Sequence, residues 1–551
     1  MPARVDSAKY KLPNDGGEGP VRHSERSAFM SKIFYITTPI YYVNAEPHLG
    51  HTYTTVLADT LARYHALAGE SSFFLTGSDE HGEKVLEVAA ERQQTPQQVA
   101  DYYANTFRET WDAVGIRYDR FIRTTDADHQ AVVQSVLQAV YDAGHIEFQE
   151  YEGLYCVGCE RFLTDRDLEN GLCTDHERAP EKRAESNYFF KMGRQFSWLT
   201  EYIDAHPDFI RPERYRNEVL SMLKEESGLG GDLCISRPKT RLDWGIELPF
   251  DENYVCYVWF DALINYLTGI GYPDGDDFTA LWAAAEHVVG KDILKPHAIF
   301  WPCMLRAIGL DPPRHLNVHG YWNVEGRKIS KSLGNMISPL AMKEKFGFEA
   351  FRYYLLRDMS FGVDSNFTQD SLILRINADL ANNLGNLVSR SLNMVKRFAG
   401  GSVPEPGPPG DLEKEIIETA NRIVNEVDRE MRATRPQRAL ESIFSLVDAT
   451  NRYLERREPW KVAKQEGGDE SVRTTLYTCC EALRISAVML SPFLPETAAE
   501  ILVRIGHPGE LDAARLPGSA QWGGIQVGAT TEKGEPLFPR IELETTEETK
   551  K

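Results

Sequence analysis

A parallel α/β sheet interrupted by a metal-clipped insertion and followed by an all-α bundle is the fold this sequence predicts, and three observations predict it. From Lys32 to about Gly144, β-branched and aromatic runs alternate with helical periodicity, the pattern of a parallel sheet covered by helices. Cys156-Val157-Gly158-Cys159 and Cys173-Thr174-Asp175-His176 form two knuckles thirteen residues apart. From about Asp370 the chain changes to apolar residues at helical spacing.

The first element is the run Phe34 to Tyr42, broken at Pro39, which crosses a polar turn and restarts after Gly50 with Val56, Leu57, Leu61 and Tyr64. This predicts strand, loop and helix. It places His48, Gly50 and His51 at a helix N-terminus, where free backbone N–H groups and the dipole favour phosphate. A second run, Phe73 to Gly77, leads into Ser78-Asp79-Glu80-His81-Gly82 and another helix. Asp79 therefore sits at the carboxyl end of a strand, the ligand edge of such sheets, as either a ligand or a helix cap.

The two knuckles supply three thiolates and one imidazole, Cys156, Cys159, Cys173 and His176, at the spacing of a tetrahedral Zn²⁺ site. Four protein ligands leave no open position, so one structural zinc per chain is expected. The α/β pattern returns at Tyr254 to Phe260, with a helix expected from Asp261, and again at Val288 to Ile293. His297 and Trp301, four apart, share a helical face. Leu316 to Tyr321 is a further run. It is followed by Gly326-Arg327-Lys328-Ile329-Ser330-Lys331-Ser332-Leu333-Gly334, a glycine-flanked loop whose paired lysines suit a polyphosphate. No Gly-x-x-x-x-Gly-Lys-Ser/Thr pattern occurs, which disfavours an ordinary P-loop.

In the bundle, Ile416, Ala420, Ile423, Val427 and Met431, and then Leu440, Ile443, Phe444, Val447 and Leu454, recur at helical spacing, with Gly400 to Gly410 as a loop between helices. Arg452, Arg456, Arg457 and Lys461 surround Pro459-Trp460. Such a grouping offers a single-stranded RNA loop a stacking face and cations, or else marks a buried helix end.

Composition bounds the rest. The chain has 551 residues, 42% hydrophobic, and by size roughly three to four domains. Its 61 basic and 82 acidic residues give a formal charge of −21, which excludes general coating of nucleic acid but not a local grip. Eight cysteines are too few for a disulfide scaffold and fit a reducing cytoplasm. No run approaches the roughly 18 apolar residues of a membrane span. The first 29 residues lack the apolar core of a signal peptide and read as a disordered tail, with the globular pattern beginning at Met30.

Taken together, His48-Leu49-Gly50-His51 matches the "HIGH" motif with Leu for Ile, and Lys328-Ile329-Ser330-Lys331-Ser332 the "KMSKS" motif with Ile for Met, the paired signatures of class I aminoacyl-tRNA synthetases. With Pro39 to His48, Ser78 to Gly82, Tyr257 to Ala262 and Gly290 through Pro302, the chain closely resembles the bacterial methionyl-tRNA synthetase family from about Lys32 to Glu542. The resemblance implies a Rossmann-like catalytic domain with a zinc-binding connective insertion, then a helix-bundle anticodon-binding domain. Its bounds would be a tail at 1–31, catalytic halves at 32–146 and 248–324 around the insertion at 147–247, a KMSKS and stem-contact region at 325–381, the bundle at 382–520 and a C-terminal tail at 521–551.

It further implies activation of L-methionine with ATP and Mg²⁺, then transfer to the terminal adenosine of initiator and elongator tRNA(Met). Ile40, Tyr42, Trp259, Ala262, Leu263, Tyr266, Ile293, His297 and Trp301 would hold methionine, with Leu263 standing where relatives often carry proline. Asp79 would bind the ammonium, with Arg237 near the carboxylate. His48, His51, Lys328 and Lys331 would be catalytic, Gly50, Gly290, Asp292 and Lys331 ATP-binding, and Asn386, Arg390 and Trp460 readers of the anticodon. No basic OB-like strand pattern is seen near the end of the chain, so a monomer is expected. A related ligase for leucine, isoleucine or valine is disfavoured by the small insertion, and a catalytically silent tRNA-binding relative by the retained His48, His51, Lys328 and Lys331.

Overall fold

The structure is a computed structural model that describes residues 32–157, 161–163, 167–174, 177–226, 231–329, 334–508 and 510–542. The expected N-terminal tail and, among expected site residues, Cys159, His176 and Lys331 lie outside the described residues.

The alternation read from the sequence becomes β1 (Ile33–Tyr42), α1 (Leu49–Leu67), β2 (Ser71–Asp79), α2 (Glu83–Arg92), α3 (Pro96–Ala113), β3 (Arg120–Arg123) and α4 (Ala127–Asp142). A four-stranded antiparallel sheet follows, built mainly on β4 (Ile146–Cys156) and β5 (Glu181–Phe190). One short strand from the same stretch, β6 (Ile210–Arg211), returns to the edge of the main sheet, so the expected insertion is not a separate body. After β7 (Ser236–Pro238) and β8 (Asp251–Cys256), helix α5 spans Val258–Thr268. That helix starts three residues before the expected Asp261. Trp259 and Phe260, which read as strand by propensity, are carried in its first turn because packing overrides a short aromatic run.

Strands β9 (Ala285–Gly290) and β10 (His315–His319) complete the main sheet. Its order is β3-β2-β1-β9-β10-β6 with every pairing parallel. The order reverses between β1 and β9, so the crevice where ligands bind in such sheets lies beyond Tyr42 and Gly290. Beyond the sheet come β11 (Trp322–Val324) and α6 (Phe348–Asp358). The bundle comprises α7 (Asn386–Phe398), α8 (Asp411–Arg432), α9 (Pro436–Arg457), α10 (Asp469–Leu490) and α11 (Pro495–Arg504). The expected loop Gly400 to Gly410 joins α7 to α8. Residues 521–542, read from the sequence as a tail, are packed down. The Glu481 carboxylate accepts the N–H groups of Gly523, Gly524 and Ile525, and Asn377 pairs with Ile541.

Helix α1 is buried along most of its length, and its apolar side joins α6 and the bundle in one continuous core. A second core fills the other face of the sheet beneath α4 and α5. Between the two helical layers lies a buried charge pair. Arg352 on α6, 2% exposed, meets Asp59 on α1, 0% exposed, at 2.5 Å. It also donates to Thr60 Oγ1 and to the carbonyls of Pro492 and Phe493, so one guanidinium ties α1 to the bundle. Burial raises the Asp59 carboxyl, but Arg352 and Arg63 outweigh it and hold the group below its usual range. Removing one partner strands the other in a dry interior. Arg352→Ala should therefore lower unfolding stability by about 3–5 kcal/mol, read as a fall in the urea midpoint; an unchanged midpoint would contradict this role.

Candidate active site

A cavity of about 350 Å³ opens at the carboxyl ends of β1, β2 and β9. Pro39 has no N–H to give the sheet, and the pairing slips there: Thr37 faces Leu75, then Ile40 faces Gly77. Beyond this bulge Ile40 and Tyr42 line the cavity, with Asp79 at the end of β2. Asp79 is 4% exposed, and the N-cap of α2 is Gly82, so the capping alternative does not hold.

The loop after β1 ends in an unusual cap. His48 is the N-cap of α1; its Nδ1 accepts the Gly50 N–H at 3.1 Å, and His51 Nδ1 accepts the His48 N–H at 3.4 Å. The two rings stack 3.9 Å apart. An N–H donor at Nδ1 requires the proton of a neutral ring to sit on Nε2. Burial keeps both rings neutral, pushing His48 down to about 4 and His51 well below its ordinary value. Gly50 permits this packing, since a Cβ there would press within 3.2 Å of the His48 ring. Both histidines and Gly50 line the cavity.

The opposite wall is aromatic. Trp259, Ala262, Leu263 and Tyr266 come from α5, and Ile293 and His297 from the turns after β9. The His297 Nδ1–H donates to the Ile293 carbonyl at 2.9 Å, so its Nε2 accepts the Tyr266 hydroxyl at 2.8 Å. Burial pushes His297 down to about 4. Tyr266 is fixed from behind by a stack on His287 at 4.2 Å. Trp301 does not reach the cavity. It is fully buried behind Tyr266, its indole N–H donating to His287, because His297 lies in a π-helical turn that shifts the expected shared face. Arg237 is also absent from the lining: it is fully buried on β7, with its guanidinium carbon 3.6 Å from the Tyr257 ring centroid.

Gly290 ends β9 and Asp292 follows it, and both line the cavity. A Cβ on Gly290 would fall 2.4 Å from Asp292 Oδ1, so only glycine lets that carboxylate fold back. Lys328 lines the mouth from a hairpin strand, Arg327–Lys328, paired with β11 through the turn Glu325-Gly326, both at positive φ. Its ammonium lies 5.1 Å from the Tyr321 ring centroid. Sequence reasoning missed Asn265, His319, Tyr321, Tyr53 and Thr54, all of which line the cavity. The position of His319-Gly320-Tyr321 at a strand end was the available signal. Burial pushes His319 down to about 4, and its Nε2 accepts the Thr54 hydroxyl.

Of the expected metal ligands, Cys156 and Cys173 are buried together with Leu163. Among the described residues no group of three or more ligands assembles. In the bundle, Asn386 is exposed, while Trp460 is half-buried beneath Arg390 at 6.0 Å rather than sealed in the core. Arg456 and Arg457 pair with Glu415 and Glu413, so the expected cationic cluster is partly neutralised within the bundle.

A parallel sheet with a histidine-capped helix at its switch point is the catalytic fold of the class I tRNA synthetases, and the family model "tRNA synthetases class I (M)" matches residues 34–173 and 166–392. The "Anticodon binding domain of methionyl tRNA ligase" matches residues 403–551. Methionine–tRNA ligases of Deinococcus radiodurans and Caldanaerobacter subterraneus are 44% and 41% identical, over 95% and 94% of this chain and 77% and 80% of those proteins. Mycobacterium tuberculosis methionyl-tRNA synthetase bound by methionyl-adenylate superposes with a TM-score of 0.87 at 38% identity, covering 92% of this chain and 100% of that one. Its apo form gives 0.82 at 35%, covering 94% and 100%. The chain belongs to the methionine–tRNA ligase family.

The neutral histidines fix a pH dependence. An unfolded chain binds protons near pH 6.5 whereas His48, His297 and His319 do so near 4. Their stability is therefore complete above about 6.5 and is lost as pH falls toward 4. The urea midpoint should fall over that window, each imidazole adding about 1.4 kcal/mol per pH unit. His297→Gln should reduce the slope by about one proton; an unchanged slope would contradict a neutral His297.

Proposed function

We propose that this chain joins methionine to ATP as methionyl-adenylate and pyrophosphate, then passes the methionyl group to the terminal adenosine of tRNA(Met). The observation that carries this is that one uninterrupted segment, Pro39 to His51, lines both halves of a single cavity. Its Ile40 and Tyr42 line the cavity at one end, and its His48 and His51 line it at the N-terminus of α1.

Methionine's flexible thioether fits between Ile40, Tyr42, Trp259, Ala262, Leu263, Ile293 and the Tyr266–His297 pair, where aromatic rings favour sulfur. Asp79 takes the ammonium. The methionine carboxylate attacks the α-phosphate in line, so no protein nucleophile is needed and the rate comes from alignment and charge stabilisation. The Nε2–H groups of His48 and His51 donate to phosphate oxygens, and being neutral they do so without a buried charge. Gly50 and Gly290 admit close approach of the nucleotide, Asp292 binds ribose, and Lys328 with Lys331 draws away the departing pyrophosphate. Mg²⁺ bound with ATP would offset the triphosphate's negative charge alongside Lys328 and Lys331. In the bundle, Trp460, Arg390 and Asn386 read the anticodon, supported by the half-exposed ring beneath a guanidinium. Cys156 and Cys173 supply two of four thiolate and imidazole ligands for a structural zinc, a donor set supported by their shared burial. A cytoplasmic monomer accompanies this reading; among the described residues no helix is long and apolar enough to cross a membrane.

Pyrophosphate exchange with each amino acid in turn tests the specificity: methionine should support exchange, and activity confined to another amino acid would overturn it. Lys331→Ala should cut exchange by two orders of magnitude or more while full-length tRNA still binds; an active variant would refute the clamp. Purified protein should contain one zinc per chain, and Cys156→Ser should lower that content and loosen the insertion to proteolysis. Protein free of zinc would remove the assignment.

A further inference from the structure

The turn between α8 and α9, which carries the bundle against the catalytic sheet, contains a strained residue whose side chain is spent on the opposite domain. Thr434 stands at φ 55, in the left-handed region, and is 1% exposed. A β-branched residue is a genuine outlier there, where glycine or asparagine would be comfortable. Such strain persists only where its surroundings over-determine it. Its hydroxyl donates to Asn317 Oδ1 on β10 at 3.0 Å, and Asn317 Nδ2 donates to Glu286 Oε2 on β9 at 3.0 Å. Asn317 is fully buried and Glu286 is 7% exposed. These two strands end two and four residues later at His319 and Gly290, both on the cavity wall.

The same turn grips the other end of α1. Tyr64 donates to Asp428 Oδ1 at 2.7 Å, and Arg432 bonds Asp428 at 2.9 Å and Glu70 at 2.8 Å. The Arg432 carbonyl also accepts from Arg211 on β6. One turn of the bundle thus holds the helix that begins with His48 and the two strands that end at the nucleotide side. Trp460 lies on the short helix just past the far end of α9, about 33 Å away by helical rise.

We propose that the Asp428–Thr434 turn is the joint through which tRNA bound at the Trp460 end of the bundle sets the catalytic cavity, with Thr434 as its positioning residue. The proposal rests on the anticodon reading of Trp460. A displacement of α8 and α9 by a bound anticodon reaches β9, β10 and α1 through hydrogen bonds that are buried at both strands. No step of methionine activation uses Thr434.

The test is a double-mutant cycle on the full-length enzyme. Thr434→Val keeps the shape and removes the hydroxyl; Thr434→Gly removes the hydroxyl and relieves the strain; Thr434→Ser keeps the bond. Both Val and Gly variants should retain methionine-dependent exchange within twofold, yet charge full-length tRNA(Met) roughly tenfold more slowly at saturating tRNA, within the usual range of coupling. Thr434→Ser should restore charging. Adding Thr434→Val to Trp460→Ala should slow charging no further than Trp460→Ala alone. Multiplying effects, a parallel loss of exchange, or normal charging by Thr434→Gly would each overturn the joint. If Trp460→Ala alone charges normally, the anticodon assignment fails on its own. The joint is then judged by comparing full-length tRNA with an acceptor-arm hairpin: a defect confined to the full-length substrate supports it, and equal defects overturn it.

Discussion

The arrangement depends on how α1 is held. Its N-terminus is closed by two imidazoles that accept backbone N–H groups, its middle by the Asp59–Arg352 pair, and its C-terminal end by Tyr64 on Asp428. These three restraints fix one rod between sheet and bundle. The first is the demanding one, because a proton on either Nδ1 would replace an acceptor with a clashing donor. Burial enforces the neutral form, and the backbone N–H groups at Nδ1 then leave the ring proton on Nε2. Cap and tautomer are one constraint seen from two sides, and the proposed phosphate contact uses the Nε2–H groups that this constraint leaves.

The aromatic wall of the cavity is fixed by a second set of buried imidazoles. His287 is locked between Thr37 and Trp301, and Tyr266 stacks on it and bonds His297. Asp261, on the same helix as Trp259, bonds both His81 and His129 at 2.6 and 2.8 Å. Burial raises this carboxyl, but His81 and His129 outweigh the penalty and bring it down to about 2. The bond to His81 fastens the turn that follows Asp79 to α5, so the group expected to meet the substrate ammonium and the ring expected to meet its thioether move together. Preorganisation of this kind fits chemistry in which the protein contributes alignment rather than a nucleophile.

Much of this was legible in the residues. The alternation from Lys32 to Gly144 marked the parallel sheet, and the spacing of Ile416 to Met431 marked a bundle helix, because both periods reflect faces that must be buried. Strand ends located Asp79, Gly290 and Asp292. Other features depended on contacts between distant segments, which no local pattern encodes. Trp301 fell behind the cavity because a π-helical turn rotates it away from His297, and Arg237 went into the interior beside Tyr257. His319 and Thr54, 265 residues apart, meet only in the folded chain. Residues 521–542, expected as part of a C-terminal tail, are held because the backbone N–H groups of Gly523, Gly524 and Ile525 satisfy the buried Glu481 carboxylate.

The central claim is that one cavity, floored by Pro39 to His51, holds methionine and ATP side by side. A stable sulfamoyl analogue of methionyl-adenylate tests it through inhibition of pyrophosphate exchange. Competition with methionine and with ATP alike, each titrated at a fixed level of the other, is the result this account predicts. Competition with one substrate and indifference to the other would place the two sites apart and contradict it.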